Sequence, residues 1–342
     1  MTRRARGLRN LRAVLAPVAA GMSVMAAAAA VLVPALGGAA HPDRPGTGGV
    51  PSPSATHRAY GPGTAPAEPA AATCTAGNAA ESLRPSSDEG AAVARIKDRG
   101  RLVVGVDQNT YRWGYRDPAT GKLEGFDIDL ARAIAEDILG PDPEVVFKAV
   151  PTDQRIRALQ KRTVDMVVRT MTINCARKRQ VAFSTSYFQA GQQVLAPKSS
   201  GIKAFDDSLR GKRVCTAAGS TGESELAEQR HGAEVLTVPS QLDCLVRLQL
   251  GQADAVVTDN ALAAAQAAQD PKVELKGRPF TKESYGVAMN KDDTDLVRRV
   301  NRVLDDYRGE GSADSPWMRA YRTWLRADMP EISGPPSPEY SD

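Results

Sequence analysis

Histidine is scarce in this chain. There are three, and His41 and His57 lie in a stretch rich in proline and glycine while His231 stands alone. No two sit at metal-ligand spacing, which argues against a histidine metal site, and a Ser-His-Asp set has no base to draw on. Aromatic residues make up only 5% of the chain. No Gly-Lys-Ser/Thr follows the small-residue loop Ala217–Ser224, so that loop is not a nucleotide-binding P-loop. The net charge is only +4, and Arg3, Arg4, Arg6, Arg9 and Arg12 all precede the first apolar run. The remainder is close to neutral, and nothing in it asks for nucleic acid. No cofactor is expected.

What is present begins with that apolar run. From Ala13 to Ala40 no residue is charged. Basic residues before an apolar stretch read as a secretory signal or an N-terminal membrane anchor. Residues 1–40 are therefore expected to export the protein, whether cleaved or retained. Residues 41–80 read as a disordered linker rich in proline, glycine and alanine, with too little apolar surface to offset chain entropy. Such a segment serves as a tether. The tail, 329–342, is expected to be flexible on the same grounds. Four cysteines in an exported chain favour disulfides, with three pairings possible. Cys215 ends a strand and Cys244 begins a helix of one proposed lobe, which favours that pair and leaves Cys74 with Cys175.

From Arg101 to about Gly286 strand and helix patterns alternate, as in RLVVGVD, FDIDLARAIAEDIL, EVVFKAV and KRVCTAAG. This alternation predicts α/β lobes with mostly parallel sheets. Two stretches read as copies of one element: RIRALQKRTVDMVVRT, from Arg155 to Thr170, and CLVRLQLGQADAVVTD, from Cys244 to Asp259. Leu159/Leu248, Gln160/Gln249, Asp165/Asp254, Val167/Val256 and Val168/Val257 are identical without a gap. Thr170 and Asp259 are then equivalent strand ends, where ligands sit in open α/β sheets. Two such ends predict two lobes facing one cleft. Residues 95–194 with 287–328 are expected to form one lobe and 195–286 the other, with crossings near Val194 and Gly286.

Candidate binding positions cluster at those ends. Thr170 and Thr172 alternate, so on extended backbone their hydroxyls point the same way, and Arg177 follows. A planar guanidinium beside two hydroxyls suits a carboxylate; the alternative is a solvated basic turn made by Arg177, Lys178 and Arg179. Asp259 is placed to meet an ammonium, or to cap the helix beginning at Asn260. Ser220, Thr221 and Gly222 open a helix whose free N–H groups suit an anion. Tyr111 is a candidate apolar wall. Arg155 and Arg169 are further basic candidates for an acidic ligand side chain.

The ordered motifs GFDIDLARAIA, ALQKRTVDMVV, TMTINCARKRQVAFSTSYF, AGSTGE, DAVVTD and YGVAMN resemble the bacterial extracellular solute-binding proteins of the polar amino-acid class, which serve ABC importers. TMTINC, KRVC and LDCLV look closest to actinobacterial glutamate- or glutamine-binding members. The resemblance runs from about Gly100 to Leu325. It implies a two-lobed, type II periplasmic-binding-protein-like fold that closes on an amino acid, glutamate, glutamine or aspartate, and passes it to an ABC permease. It also implies that Arg177 holds the α-carboxylate with help from Thr170, Thr172 and Thr221, and that Asp259 takes the α-ammonium. Ala218 stands where relatives often carry a basic residue, Asn260 where they often carry an acidic one, and Cys175 where proline is common. A sensor reporting to a membrane partner would use the same fold. An enzyme on this fold is a third class, against which the lack of an evident acid-base pair argues.

Overall fold

The computed structural model describes residues 73–342. The expected export segment, 1–40, and residues 41–72 of the linker lie outside them. The chain divides into Met1–Glu68 and Pro69–Asp342, and the described residues belong to the second unit.

The first lobe opens with α1 (Ala91–Arg99), β1 (Arg101–Val106), β2 (Asn109–Thr110), β3 (Gly114–Arg116) and β4 (Leu123–Glu124). It continues with α2 (Phe126–Leu139), β5 (Glu144–Ala149), α3 (Arg155–Gln160), β6 (Met166–Val167), α4 (Cys175–Lys178) and β7 (Ala182–Phe183). After β8 (Phe188–Ala190) come β9 (Gln192–Pro197), β10 (Arg213–Ala217), α5 (Thr221–Glu228) and β11 (Glu234–Val238). Then follow α6 (Gln241–Gln249), β12 (Ala255–Asp259), α7 (Asn260–Gln269) and β13 (Val273–Lys276). The chain returns through β14 (Glu283–Tyr285) to β15 (Ala288–Met289), α8 (Thr294–Arg308) and α9 (Pro316–Trp324).

These strands build two five-stranded sheets of matching order, β5-β1-β6-β15-β7 and β11-β10-β12-β9-β13. In each, the three strands linked through helices are parallel, as a helical crossover requires. The fourth strand, β15 in one sheet and β9 in the other, runs antiparallel to them. The edge strand beyond it, β7 or β13, pairs antiparallel with it and so runs with the first three, which the helix-strand alternation did not reveal. The chain crosses between lobes in β8 and β14, which pair antiparallel. The first crossing therefore ends at Gly191, not near Val194. Val194 lies inside β9, paired with Val257 of the second sheet. The first lobe also starts before residue 95, because Ala92 and Val93 of α1 are core residues.

The repeated element has a physical explanation. In both copies the helix is left through a residue with positive φ, Arg162 (52°) and Gly251 (67°). In both, the aspartate at the strand entrance grips the neighbouring strand twice. Asp165 donates its N–H to Val103 O at 2.8 Å and accepts from Val103 N–H at 2.8 Å. Asp254 does the same with Arg213, each bond 2.8 Å. The paired valines that follow point to opposite faces, Val167 and Val256 into one core layer of their lobes and Val168 and Val257 into the other. Leu159 is fully buried and Leu248 nearly so; burying such a side chain stabilises by about 1.5–3 kcal/mol.

Both disulfides are formed, Cys215–Cys244 within the second lobe and Cys74–Cys175 between the end of the linker and α4. This corrects the linker boundary: Ala79 is buried, Lys178 Nζ donates to Glu81 O at 2.7 Å, and the segment from Thr73 lies on the first lobe. The tail expectation is corrected too. Ser82 pairs with Tyr340 as a parallel bridge, the Tyr340 hydroxyl donates to Asp305 at 2.7 Å, and Arg308 Nε donates to Pro336 O at 3.1 Å. Met329 and Ile332 anchor the start of this stretch on the first lobe's core, and hydrogen bonds hold the proline-rich remainder. Among the described residues no helix is long and apolar enough to cross a membrane.

Candidate functional site

Between the lobes lies a small cavity. The first lobe lines it with Thr152, Arg155, Arg169, Thr170, Thr172 and Arg177, the second with Ser220, Thr221, Gln241, Asp259 and Leu262. Its volume is about 10 Å³, room for about one water. Admitting a larger guest requires the lobes to part.

Arg177 is positioned from its own backbone. Asn174 caps α4, its Oδ1 accepting from Arg177 N–H at 2.9 Å. The guanidinium is buried and donates to Thr172 O at 2.7 Å and, across the cleft, to Gly219 O at 3.0 Å. Burial pushes its pKa down, while the carboxyl groups of Glu283 and Asp259 oppose that shift. It is not the solvated turn that the charge run allowed.

Asp259 occupies the N-cap position of α7, yet its side chain makes no capping bond. It accepts from Gln192 Nε2 at 2.8 Å instead. Burial and the adjacent Glu283 hold its carboxyl well above the usual range, against the pull of Arg177 and Arg155. Glu283 had no signal in the sequence beyond being one acid in a short polar strand. It sits on the crossing strand β14 and accepts from the hydroxyls of Thr172 at 2.6 Å and Thr221 at 2.9 Å. The Asp259–Glu283 pair thus touches both lobes and the hinge.

The remaining candidates divide. Thr170 reaches the cavity, but on backbone with φ of 42°, so the extended alternation with Thr172 does not hold. The buried carboxylate of Asp127 fixes that turn, accepting from Thr170 N–H at 3.0 Å and from the Tyr187 hydroxyl at 2.9 Å. Burial raises the Asp127 pKa to about 7. Ser220 lines the cavity, though its oxygen caps α5 by accepting from Glu223 N–H at 3.1 Å. Gly222 does not line the cavity; a Cβ there would meet Gln192, Thr216 and Val257, so the glycine lets α5 lie against the second sheet. Tyr111 also lies off the cavity, its ring 5.0 Å from that of Tyr115 and under the Arg112 guanidinium. Arg155, Arg169 and the unforeseen Gln241 are brought in, the last as the first residue of α6. Gly219, at φ 71°, presses against Asp153 of the first lobe, where a Cβ would sit 3.0 Å from the Asp153 Cα. That close approach lets its carbonyl reach the two arginines.

The sequence profile of the bacterial extracellular solute-binding proteins, family 3, matches residues 102–326. The chain belongs to that family. The ABC transporter glutamine-binding protein GlnH of Bacillus subtilis (strain 168) is 38% identical over 239 residues, covering 70% of this chain and 86% of GlnH. An ancestral arginine-binding protein bound to glutamine superposes with a TM-score of 0.61 at 37% identity, covering 66% of this chain and 98% of that one. The ancestral amino acid-binding protein AncCDT-1, a precursor of cyclohexadienyl dehydratase, gives a TM-score of 0.62 at 32% identity, over 69% of this chain and 100% of the neighbour. These likenesses fix the two-lobed type II fold of this family 3 protein and make it a solute receptor of the amino-acid-binding group.

Proposed function

We propose that this family 3 protein binds a single α-amino acid of the glutamate, glutamine and aspartate set outside the cytoplasm and delivers it to an ABC permease, held at the membrane through its N-terminal segment. The reading rests above all on Arg177 and Asp259, which come from different lobes to one cavity with opposite charge. Arg177 takes the α-carboxylate with a planar pair of N–H donors. Asp259, backed by Glu283, takes the α-ammonium. Thr172 and Thr221 orient Glu283, and Thr170 and Ser220 complete the walls. A ligand that touches both lobes only when they are closed shifts the population toward closure. The glutamine-binding relative and the glutamine-bound structural neighbour support the ligand class, and the transporter named for the relative supports the permease.

A thermal-shift screen against the twenty amino acids tests this. A ligand at about a hundred times its Kd adds about 2.7 kcal/mol to apparent stability. One or a few polar amino acids should raise the melting temperature. If none does, the receptor reading fails.

An enzymatic reading has one observation behind it. The neighbouring carboxyl groups of Asp259 and Glu283 would supply the acid-base pair that such a reading needs, and AncCDT-1 is the precursor of a dehydratase. NMR of each binding amino acid after long incubation separates the two readings. An unchanged ligand supports the receptor, and a converted one supports the enzyme.

A further inference from the structure

Helix α4, which carries Arg177, is too short to hold itself. It has four residues, Cys175–Lys178, and Arg177 is the only one of them buried. Ala176 is exposed and Cys175 half-buried. A single helical turn gains little from its own hydrogen bonds against the chain entropy of fixing it. The flanks are anchored, because Ile173 and Val181 lie in the first lobe's core, but no apolar side chain of α4 itself does.

A clip outside the cleft supplies the support. Residues 74–82 meet α4 at both ends. Cys74 is bonded to Cys175 at its start, and Glu81 O accepts from Lys178 Nζ at 2.7 Å at its finish. Between these points the clip is a built turn: Asn78 Oδ1 accepts from Thr75 N–H at 2.7 Å, and Asn78 O accepts from Glu81 N–H at 3.1 Å. Ser82 then locks the clip to the lobe, its hydroxyl donating to Phe183 O at 2.7 Å and accepting from Asn301 Nδ2 at 2.8 Å. Asn301 is fully buried in α8. No clip residue lines the cavity.

Arg177 needs this support most when the lobes are parted. Its Nη2 donates to Gly219 O of the second lobe and its Nη1 to Thr172 O of the first. Opening breaks the bond to Gly219 and leaves the guanidinium with one carbonyl of its own lobe. The backbone of α4 then has to aim it at an incoming carboxylate.

We infer that the Cys74–Cys175 bond and Lys178 are positioning groups for Arg177, and that cutting this disulfide weakens amino-acid binding by loosening α4 rather than by unfolding the lobe. The inference rests on the amino-acid receptor reading above. A side chain held in place beforehand avoids the entropy of being ordered on binding. The two disulfides differ in access: Cys215 and Cys244 are fully buried, whereas Cys74 and Cys175 are half-buried. A thiolate must reach a sulfur to exchange with it, so a dithiol cuts the clip first. The dithiol is oxidised to its cyclic disulfide, and Cys74 and Cys175 take up the two electrons and two protons as thiols.

The test is calorimetric titration of the full-length protein with L-glutamate, L-aspartate and L-glutamine, before and after brief treatment with dithiothreitol. Alkylation with iodoacetamide and mass mapping show which cysteines were freed. Cys74 and Cys175 should be alkylated first. The Kd of each bound amino acid should then rise about three- to tenfold, the effect of ordering one long side chain on binding. The double variant Cys74→Ser, Cys175→Ser should do the same without reductant, and Lys178→Ala should shift Kd in the same direction. In an Arg177→Ala background, cutting the bond should change Kd by less than about twofold, because the group it positions is gone. An affinity unchanged by loss of the Cys74–Cys175 bond overturns the inference and leaves the receptor reading intact. So does a loss by the same factor with and without Arg177, which marks a general loosening of the lobe. If the double serine variant fails to fold, as judged by its melting curve, the dithiothreitol arm and Lys178→Ala decide the matter. If wild type binds none of the three amino acids, the receptor reading fails and this inference with it.

Discussion

The carboxyl group of Glu283 lies close enough to that of Asp259 to raise its pKa, and the hydroxyl of Thr221 ties Glu283 to the second lobe. Asp259 ends the central strand of the second lobe and Glu283 sits on the strand that crosses back to the first. Two carboxyl groups this close cannot both ionise freely, and Asp259 is the one held well above the ordinary range, by burial first and by Glu283 second. Ionising Asp259 therefore costs more in the empty cavity than at an exposed position.

The arrangement makes ligand binding pH-dependent. An α-ammonium favours the ionised carboxylate, so a bound amino acid draws the proton off Asp259. Affinity should rise with pH through the raised Asp259 titration and level off above it. Binding should also release protons, measurable by calorimetry in buffers of different ionisation enthalpy. Glu283→Gln removes the neighbour's charge and should weaken this dependence. Affinity that is flat with pH and equal in all buffers would count against the ammonium assignment.

The two poles of the ligand should also separate by mutation. Arg177→Ala removes the charge that faces the α-carboxylate, and truncating one partner of a buried charged pair costs about 2–5 kcal/mol. The dissociation constant of every bound amino acid should then rise more than about tenfold. Asp259→Asn should penalise amino acids more than analogues that lack the amine. Equal losses for both ligand types would contradict its role.

Asp127 predicts a pH effect on stability that needs no ligand. Its folded pKa of about 7 lies above the ordinary 3.8, so the folded state binds the proton more tightly than the unfolded chain. Its contribution is fully present below pH 3.8 and is lost as pH rises through 7. At about 1.4 kcal/mol per pH unit, the loss is about 4 kcal/mol. Asp127→Asn should flatten the decline in stability between those limits, read from denaturant melts across pH. An unchanged slope would mean that the carboxyl is hydrated and titrates normally.

Removal of the Cys215–Cys244 bond should lower stability. It spans 29 positions, and loop-closure entropy on that scale is about 3–4 kcal/mol. The double variant Cys215→Ala, Cys244→Ala should melt at a lower temperature while keeping its amino-acid affinity, because neither residue lines the cavity. A large loss of affinity would show that the bond also shapes the second lobe's wall.

Much of the site was legible because it was written twice. The matching of Asp165 with Asp254, and of the valine pairs after them, pointed to Thr170 and Asp259, and both reach the cavity. Arg177 stood in a charge run that read equally as a solvated turn, and its role came from the family resemblance and from its complement, Asp259. Glu283 was not legible: it stands in a short polar strand, and its meaning comes from Thr172, Thr221 and Asp259, each distant in sequence. Gln241 reads as an ordinary helix opening until the other lobe closes over it. The packing role of Gly222, whose missing Cβ lets α5 approach Gln192 and Val257, carried no sequence signal of its own. The tail misled for a different reason. Composition averages over the segment, whereas residues 329–342 are held by two apolar side chains, Met329 and Ile332, and by hydrogen bonds to the first lobe from Arg308 and through Tyr340.

The most direct measurement is a crystal structure of the protein with its tightest-binding amino acid. The account predicts the α-carboxylate on the Arg177 guanidinium and the α-ammonium on Asp259, with the lobes closed over both. A ligand held at both poles by one lobe, or bound away from these two residues, would contradict it.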